Sequence, residues 1–272
     1  MMRLRSAAFF ALIALLPLFT ACRAFMEPAM KEQRAEWVAP DYHVVDDAKT
    51  TQRMALGRRV SLAEQRLRAG DLKSAEAEAT AALKANPSSA DALTLLAVIA
   101  DRKGAETQAG EYYKRAAEAE PKQGGVLNNY GAWLCGNGFP AESLLWFDRA
   151  LEAPGYGTPE SALANAGGCA LKTGQYERAD RDLRKALSIA PQNAYALASL
   201  AESEYRQGRY FEARAFTERR LAAAPASAAV LQLAAGIEEK LGDKAAASRY
   251  VQRLRAEFPE VVTANPGEKL RP

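Results

Sequence analysis

Small and apolar residues recur along this chain in columns about 34 residues apart. Six glycines set the frame: Gly70, Gly104, Gly138, Gly174, Gly208 and Gly242, at spacings of 34, 34, 36, 34 and 34. With glycine taken as position 15, the units begin at Leu56, Ala90, Gly124, Glu160, Ala194 and Ala228. Position 8 is then Ala63, Ala97, Gly131, Gly167, Ala201 and Ala235, and position 20 is Ala75, Ala109, Ser143, Ala179, Ala213 and Ala247. Every one is small. Position 4 is leucine in five units (Leu93, Leu127, Leu163, Leu197 and Leu231), and position 24 offers the fillers Tyr113, Phe147, Leu183 and Val251. The pattern predicts two helices per unit, A before the glycine and B after it. They cross closely at positions 8 and 20, where a larger side chain would force the axes apart.

The punctuation agrees. Glycine takes the left-handed conformation that ends helix A. Asp71 and Asp243 follow it and suit the cap of helix B, while Ser89, Asn193 and Ser227 suit the cap of the next helix A. Pro87, Pro121, Pro191, Pro225 and Pro259 end helix B 17 residues after each glycine, with the rung missing in the third unit. A period near 34 built from paired helices is the tetratricopeptide repeat pattern. The expected fold is all-α: a solenoid of about six helix-turn-helix repeats in a right-handed superhelix. The ends fray as terminal repeats do, with Arg59 at position 4 of the first repeat and Arg220 and Leu254 at position 27 of the last two.

The flanks read differently. Residues 1–21 resemble a secretory signal: Arg3 and Arg5, then an apolar run from Ala7 to Phe19 too short to span a bilayer. It closes on Leu18-Phe19-Thr20-Ala21-Cys22, which resembles a bacterial lipobox. Lipidation of Cys22, palmitate included, would supply a membrane anchor; the other reading is plain cleavage after Ala21. Arg23, where an aspartate would commonly signal inner-membrane retention, fits transfer to the outer membrane. Residues 22–50 then form the lipidated N-terminus and a flexible tether, 51–260 the repeat array, and 261–272 a tail. Ala153–Pro159 holds the two extra residues of the third spacing; it is either a functional loop or a tolerated insertion.

Charge and composition narrow the function. Removing residues 1–21 takes away two arginines and no acid, so a net charge of +3 falls to about +1. Neither a nucleic-acid footprint nor a polybasic membrane patch is present. The single histidine, His43, lies in the tether, so the array can hold no histidine-dependent triad. No phosphate-binding glycine loop appears. Charged side chains are expected on solvated helix faces. The chain is read as a non-enzyme with no cofactor and no metal site. Cys135 and Cys169 fall at positions 12 and 10 of adjacent repeats and are read first as two small buried apolar residues, with pairing in an oxidising compartment as the alternative.

A binding surface is the better candidate. Helix A lines the inner wall of such arrays, with positions 2, 5, 9 and 12 facing inward. In repeats three to five these include Asn128, Ala132, Cys135, Gly168, Leu171, Tyr195 and Tyr205, mostly small, apolar or aromatic. Such a wall could take a partner's apolar helix or strand, or its small residues could only tighten the superhelix. Asn129 and Asn165 share position 6 and either pair with a bound peptide backbone or serve the repeat itself.

The segment Ser88 to Leu134, and above all Val126-Leu-Asn-Asn-Tyr-Gly-Ala-Trp-Leu134, resembles the type IV pilus biogenesis/stability lipoprotein family (PilF or PilW, the pilotins). The resemblance extends to the lipobox, the six-repeat plan and the longer loop after repeat three. It implies a monomeric outer-membrane lipoprotein facing the periplasm, lipidated at Cys22, that binds the pilus secretin and promotes its outer-membrane localisation and multimerisation. The groove is expected on the concave face of the early repeats. The alternative is a lipoprotein scaffold for cell-wall enzymes or outer-membrane protein assembly.

Overall fold

All six frame glycines adopt positive φ, from 74° at Gly104 to 92° at Gly138, so each A helix stops where the sequence places its stop. A Cβ at any of the six would meet nothing within 4 Å. Conformation, not space, therefore demands glycine there. The computed structural model describes residues 47–260. The signal segment, Cys22, His43, most of the tether and the tail at 261–272 lie outside the described residues.

The described residues form twelve α-helices and no strand. The A helices are α1 (Ala48–Arg68), α3 (Ala90–Arg102), α5 (Gly124–Gly136), α7 (Pro159–Lys172), α9 (Ala194–Arg206) and α11 (Ala228–Leu241). The B helices are α2 (Leu72–Ala85), α4 (Glu106–Ala119), α6 (Pro140–Glu152), α8 (Tyr176–Ile189), α10 (Tyr210–Ala223) and α12 (Lys244–Glu257). Helix α1 begins well ahead of the frame position at Leu56, so the tether drawn to residue 50 overlaps its first turn.

Proline stands two residues beyond the end of every B helix. The rung missing from the third repeat is supplied by Pro154, one position early, after α6 ends at Glu152. Asp71, Ser89, Asn193 and Asp243 each accept a backbone N–H three residues on, at 3.0, 3.3, 2.9 and 2.9 Å. Ser227 holds the N-cap position of α11 but makes no such bond.

Positions 8, 20 and 24 are buried in every repeat, and position 4 in all but the first, where Arg59 is exposed. Glycine replaces alanine at position 8 where the position-24 filler presses hardest. A Cβ on Gly131 would lie 2.9 Å from the Phe147 ring, and one on Gly167 would lie 2.5 Å from Leu183. The longer loop also packs: the Tyr156 ring fills the space over Gly124, where a Cβ would approach it to 2.5 Å. Three apolar clusters run from Ala63 to Phe216 and are joined through Leu83, Val98, Tyr112 and Leu151, so the core of the first five repeats is built repeat by repeat.

Tyr113 is buried in this core, and desolvation, with a smaller contribution from Asp101, pushes its hydroxyl from 10.0 up to about 12. A raised folded value means the native ring keeps its proton after the unfolded chain has lost it. Its contribution is intact below pH 10 and is lost as pH rises towards 12, about 2–3 kcal/mol in all. Urea unfolding of Tyr113→Phe across this range should show a shallower alkaline loss than the parent.

Candidate functional site

Successive A helices pack against one another along the whole array, whereas no pair of B helices makes comparable contact. The array therefore curves with its A helices inside. On this inner wall a cleft of about 620 Å³ opens across α7, α9 and α11. It lies in repeats four to six, and four of the candidate residues, Gly168, Leu171, Tyr195 and Tyr205, line it.

Two tyrosines of α9 build its walls by leaning in opposite directions. A Cβ at Gly168 of α7 would run into the Tyr195 hydroxyl, and one at Gly236 of α11 would sit 3.3 Å from the Tyr205 hydroxyl. Both glycines hold position 9, one repeat to either side of α9. Burial of its hydroxyl end raises the Tyr195 phenol above the ordinary tyrosine value, although the residue as a whole is 47% exposed. Leu171, Ala198, Val230 and Leu233 supply apolar lining between the tyrosines.

The candidates Asn128, Cys135 and Asn165 are engaged within the array itself. Asn165 donates its side-chain N–H to the Asn128 side-chain oxygen Oδ1 at 3.0 Å, joining α7 to α5. Asn128 is buried, Asn129 half-buried and Ala132 exposed. Cys135 is not an open groove residue: it forms a disulfide with Cys169, Cα to Cα 6.0 Å. This corrects the reading of the pair as two separate apolar fillers. Neighbouring parallel helices face each other with opposite sides, so positions two residues apart, roughly half a turn, are brought together.

The motif Val126 to Leu134 is largely architectural. Val126, Leu127, Tyr130 and Leu134 are buried. The Trp133 ring lies over Gly110 of α4, where no Cβ would fit, and Tyr130 stacks on Trp133 at 6.3 Å and meets the edge of Trp146 at 4.7 Å.

Charge placement departs most from expectation. Asp182, Glu204 and Glu238 are buried rather than solvated. Glu204 of α9 accepts from Arg184 of α8 at 3.0 Å and from Arg209. Glu238 of α11 accepts from Arg214 of α10 through both guanidinium branches, Nε at 2.9 Å. Asp182 accepts from Arg178 at 3.3 Å and Arg181 at 3.0 Å, and Arg178 also reaches Asp148 of α6 at 2.5 Å. Arg178, Arg184 and Arg214 thereby join repeat three to four, four to five and five to six. Among the described residues no group of three His, Cys, Asp or Glu side chains could hold a metal ion, and no helix is long and apolar enough to cross a membrane.

Two stretches, residues 60–124 and 170–237, match tetratricopeptide repeat families. The chain is also similar to the solved structure of PilW, a widely conserved type IV pilus biogenesis factor. The two are 32% identical with a TM-score of 0.70, over 75% of this chain and 94% of that one. The chain belongs to the PilF/PilW family of type IV pilus biogenesis proteins. The type IV pilus assembly protein PilF of Pseudomonas aeruginosa is 26% identical over 196 residues, 71% of this chain and 77% of that protein. A solved structure of Pseudomonas aeruginosa PilF shares the fold, with a TM-score of 0.69 at 23% identity over 77% of this chain and 94% of that one. Tetratricopeptide repeat arrays present extended concave surfaces of the kind that bind protein partners.

Proposed function

We propose that this chain is a pilotin: an outer-membrane lipoprotein, held on the periplasmic face through Cys22, that binds the type IV pilus secretin and promotes its localisation and multimerisation. The observation that carries the reading is the likeness to PilW over nearly all of that protein's length. Two others support it. The lipobox ends at Cys22, and the Cys135–Cys169 bridge suits an oxidising compartment such as the periplasm.

The mechanism needs no catalysis. A lipid anchor confines the chain to one membrane face and raises the local concentration of its inner wall there. The wall covers an aggregation-prone segment of the secretin subunit, and mass action favours the bound, soluble form until neighbouring subunits replace it. The chain acts as a monomer.

The test is a gene deletion with membrane fractionation. Without the chain, secretin should remain monomeric and misplaced, and twitching motility should be lost. Cys22→Ala should keep secretin binding in pull-downs but fail to restore outer-membrane multimers. Normal multimers in the outer membrane of the deletion strain would end the pilotin reading.

A further inference from the structure

The last turn of the A helices carries a basic ladder. Position 13 is Arg68, Arg102, Lys172, Arg206 and Lys240 in five of the six repeats. Two of these cations reach back to the preceding A helix: Arg102 donates to the Leu67 carbonyl at 2.9 Å and Lys172 to the Cys135 carbonyl at 3.2 Å. Each thus satisfies a carbonyl at a helix C-terminus, the end where a cation is favoured. A carbonyl satisfies a hydrogen bond without cancelling a charge.

Lys172 and Arg206 stand at the rim of the cleft across α7, α9 and α11. Arg206 is neutralised by Glu202 on its own helix. Among the described residues Lys172 meets no carboxylate within ion-pair distance, and its side chain is exposed. The rim therefore keeps one net positive charge beside an apolar floor and two tyrosines. A basic occupant would be repelled by that charge and an acidic one attracted, while the floor favours an apolar side chain. An acidic group beside an apolar one matches both features.

We infer that this cleft receives a short segment of the partner polypeptide that sets an apolar side chain against Leu171 and Leu233 and a carboxylate against Lys172. The inference rests on the reading of the inner wall as a protein-binding surface and names the chemistry it selects. The carboxylate lies on the side where the A helices end, because the basic ladder runs along that edge.

A phage-displayed library of random decapeptides, panned on the immobilised chain from Cys22 onward, tests this. Selected peptides should pair an aromatic or aliphatic residue with Asp or Glu. Their affinity should fall at least tenfold for Ala198→Trp and for Gln232→Trp, which fill the cleft from α9 and from α11. Lys172→Glu should turn selection towards Lys or Arg. Circular dichroism melts matching the parent establish that the two tryptophan variants fold, and either one that folds suffices. No consensus, a consensus lacking an acid, or peptides that bind both tryptophan variants as well as the parent would overturn the inference. Secretin capture separates the two readings. If the parent retains secretin and both tryptophan variants retain it equally, the cleft is wrong and the pilotin reading stands. If the parent fails to retain secretin while panning yields the acidic consensus, the pilotin reading falls and the cleft stands.

Discussion

Replacing Arg184 and Arg209 together with methionine should cost the array about 3–5 kcal/mol at neutral pH, because it leaves a buried carboxylate without a partner. Glu204 is 0% exposed, whereas the side chains of Arg184 and Arg209 are 52% and 43% exposed. The arginines can return to water if the acid is removed; the acid cannot if the arginines are. Glu204→Leu should therefore cost less than the double arginine change. Arg184 also pairs with Asp180 at 2.8 Å, but that exposed pair within one helix is worth only about 0.3–0.5 kcal/mol, too little to account for the loss. The deciding comparison is the triple variant Arg184→Met/Arg209→Met/Glu204→Leu, which removes charge on both sides. Buried pairs replaced by apolar residues of similar size are often neutral, so it should recover to within about 1–2 kcal/mol of the parent. Urea unfolding with hydrogen exchange of the α8 and α9 amides would read all of these. A triple variant as unstable as the double would place the cost in lost packing of the arginine stems, not in charge.

Why the position-11 acids escaped sequence reading is instructive. Glu204 and Glu238 are one period apart, and that alone was visible. The informative sign lay on the helix face. Leu197, Leu200 and Ala201 precede Glu204, and Leu231, Ala234 and Ala235 precede Glu238, at spacings that put each acid in line with buried residues. Charged residues are solvated by default, and that prior overrode the face. Arg184, at position 25, and Arg214, at position 21, sit on the preceding B helix, and Arg209 follows the frame glycine of the same repeat, so no single column announces the pairs. The lesson extends to Lys172 and Arg102, whose shared position 13 was legible as a basic column. Their reach to a carbonyl of the previous repeat appears only once the A helices lie side by side.

The fold itself was almost wholly legible, because a repeat writes each packing rule six times. Positions 4, 8, 20 and 24 report contacts inside one repeat, and those contacts recur in register. The inner wall is less legible for a physical reason: its contacts run between repeats and depend on how far each unit is rotated from the last. Tyr195 and Tyr205 were identifiable as amphipathic side chains on the inner face. That they lean to Gly168 and Gly236 and so shape a cleft in the later repeats required the geometry.

Removing the bridge between α5 and α7 should have an effect nearly as large as that of stranding Glu204. Cys135 and Cys169 close a loop of 34 residues, one regular period, across the junction where the repeat is two residues longer. A loop of this length restricts the unfolded chain by about 3–4 kcal/mol in the chain-entropy account. Cys135→Ala/Cys169→Ala keeps both sites small and apolar, so its loss reports the cross-link and not a buried polar group. The expected result is an unfolding free energy lower by about 3–4 kcal/mol, with the parent in reductant behaving like the variant. The loss should also be local. Bridged repeats open together, whereas in a one-dimensional array without the bridge the junction can part on its own. Hydrogen exchange should therefore quicken first in α5 to α7 while α11 and α12 keep their protection. A variant with the parent's midpoint and exchange pattern would mean that the Asn165–Asn128 bond and the Lys172–Cys135 carbonyl contact already hold these helices unaided. If the bridge contributes as expected, the chain is weaker wherever these thiols are reduced and reaches full stability only where they pair.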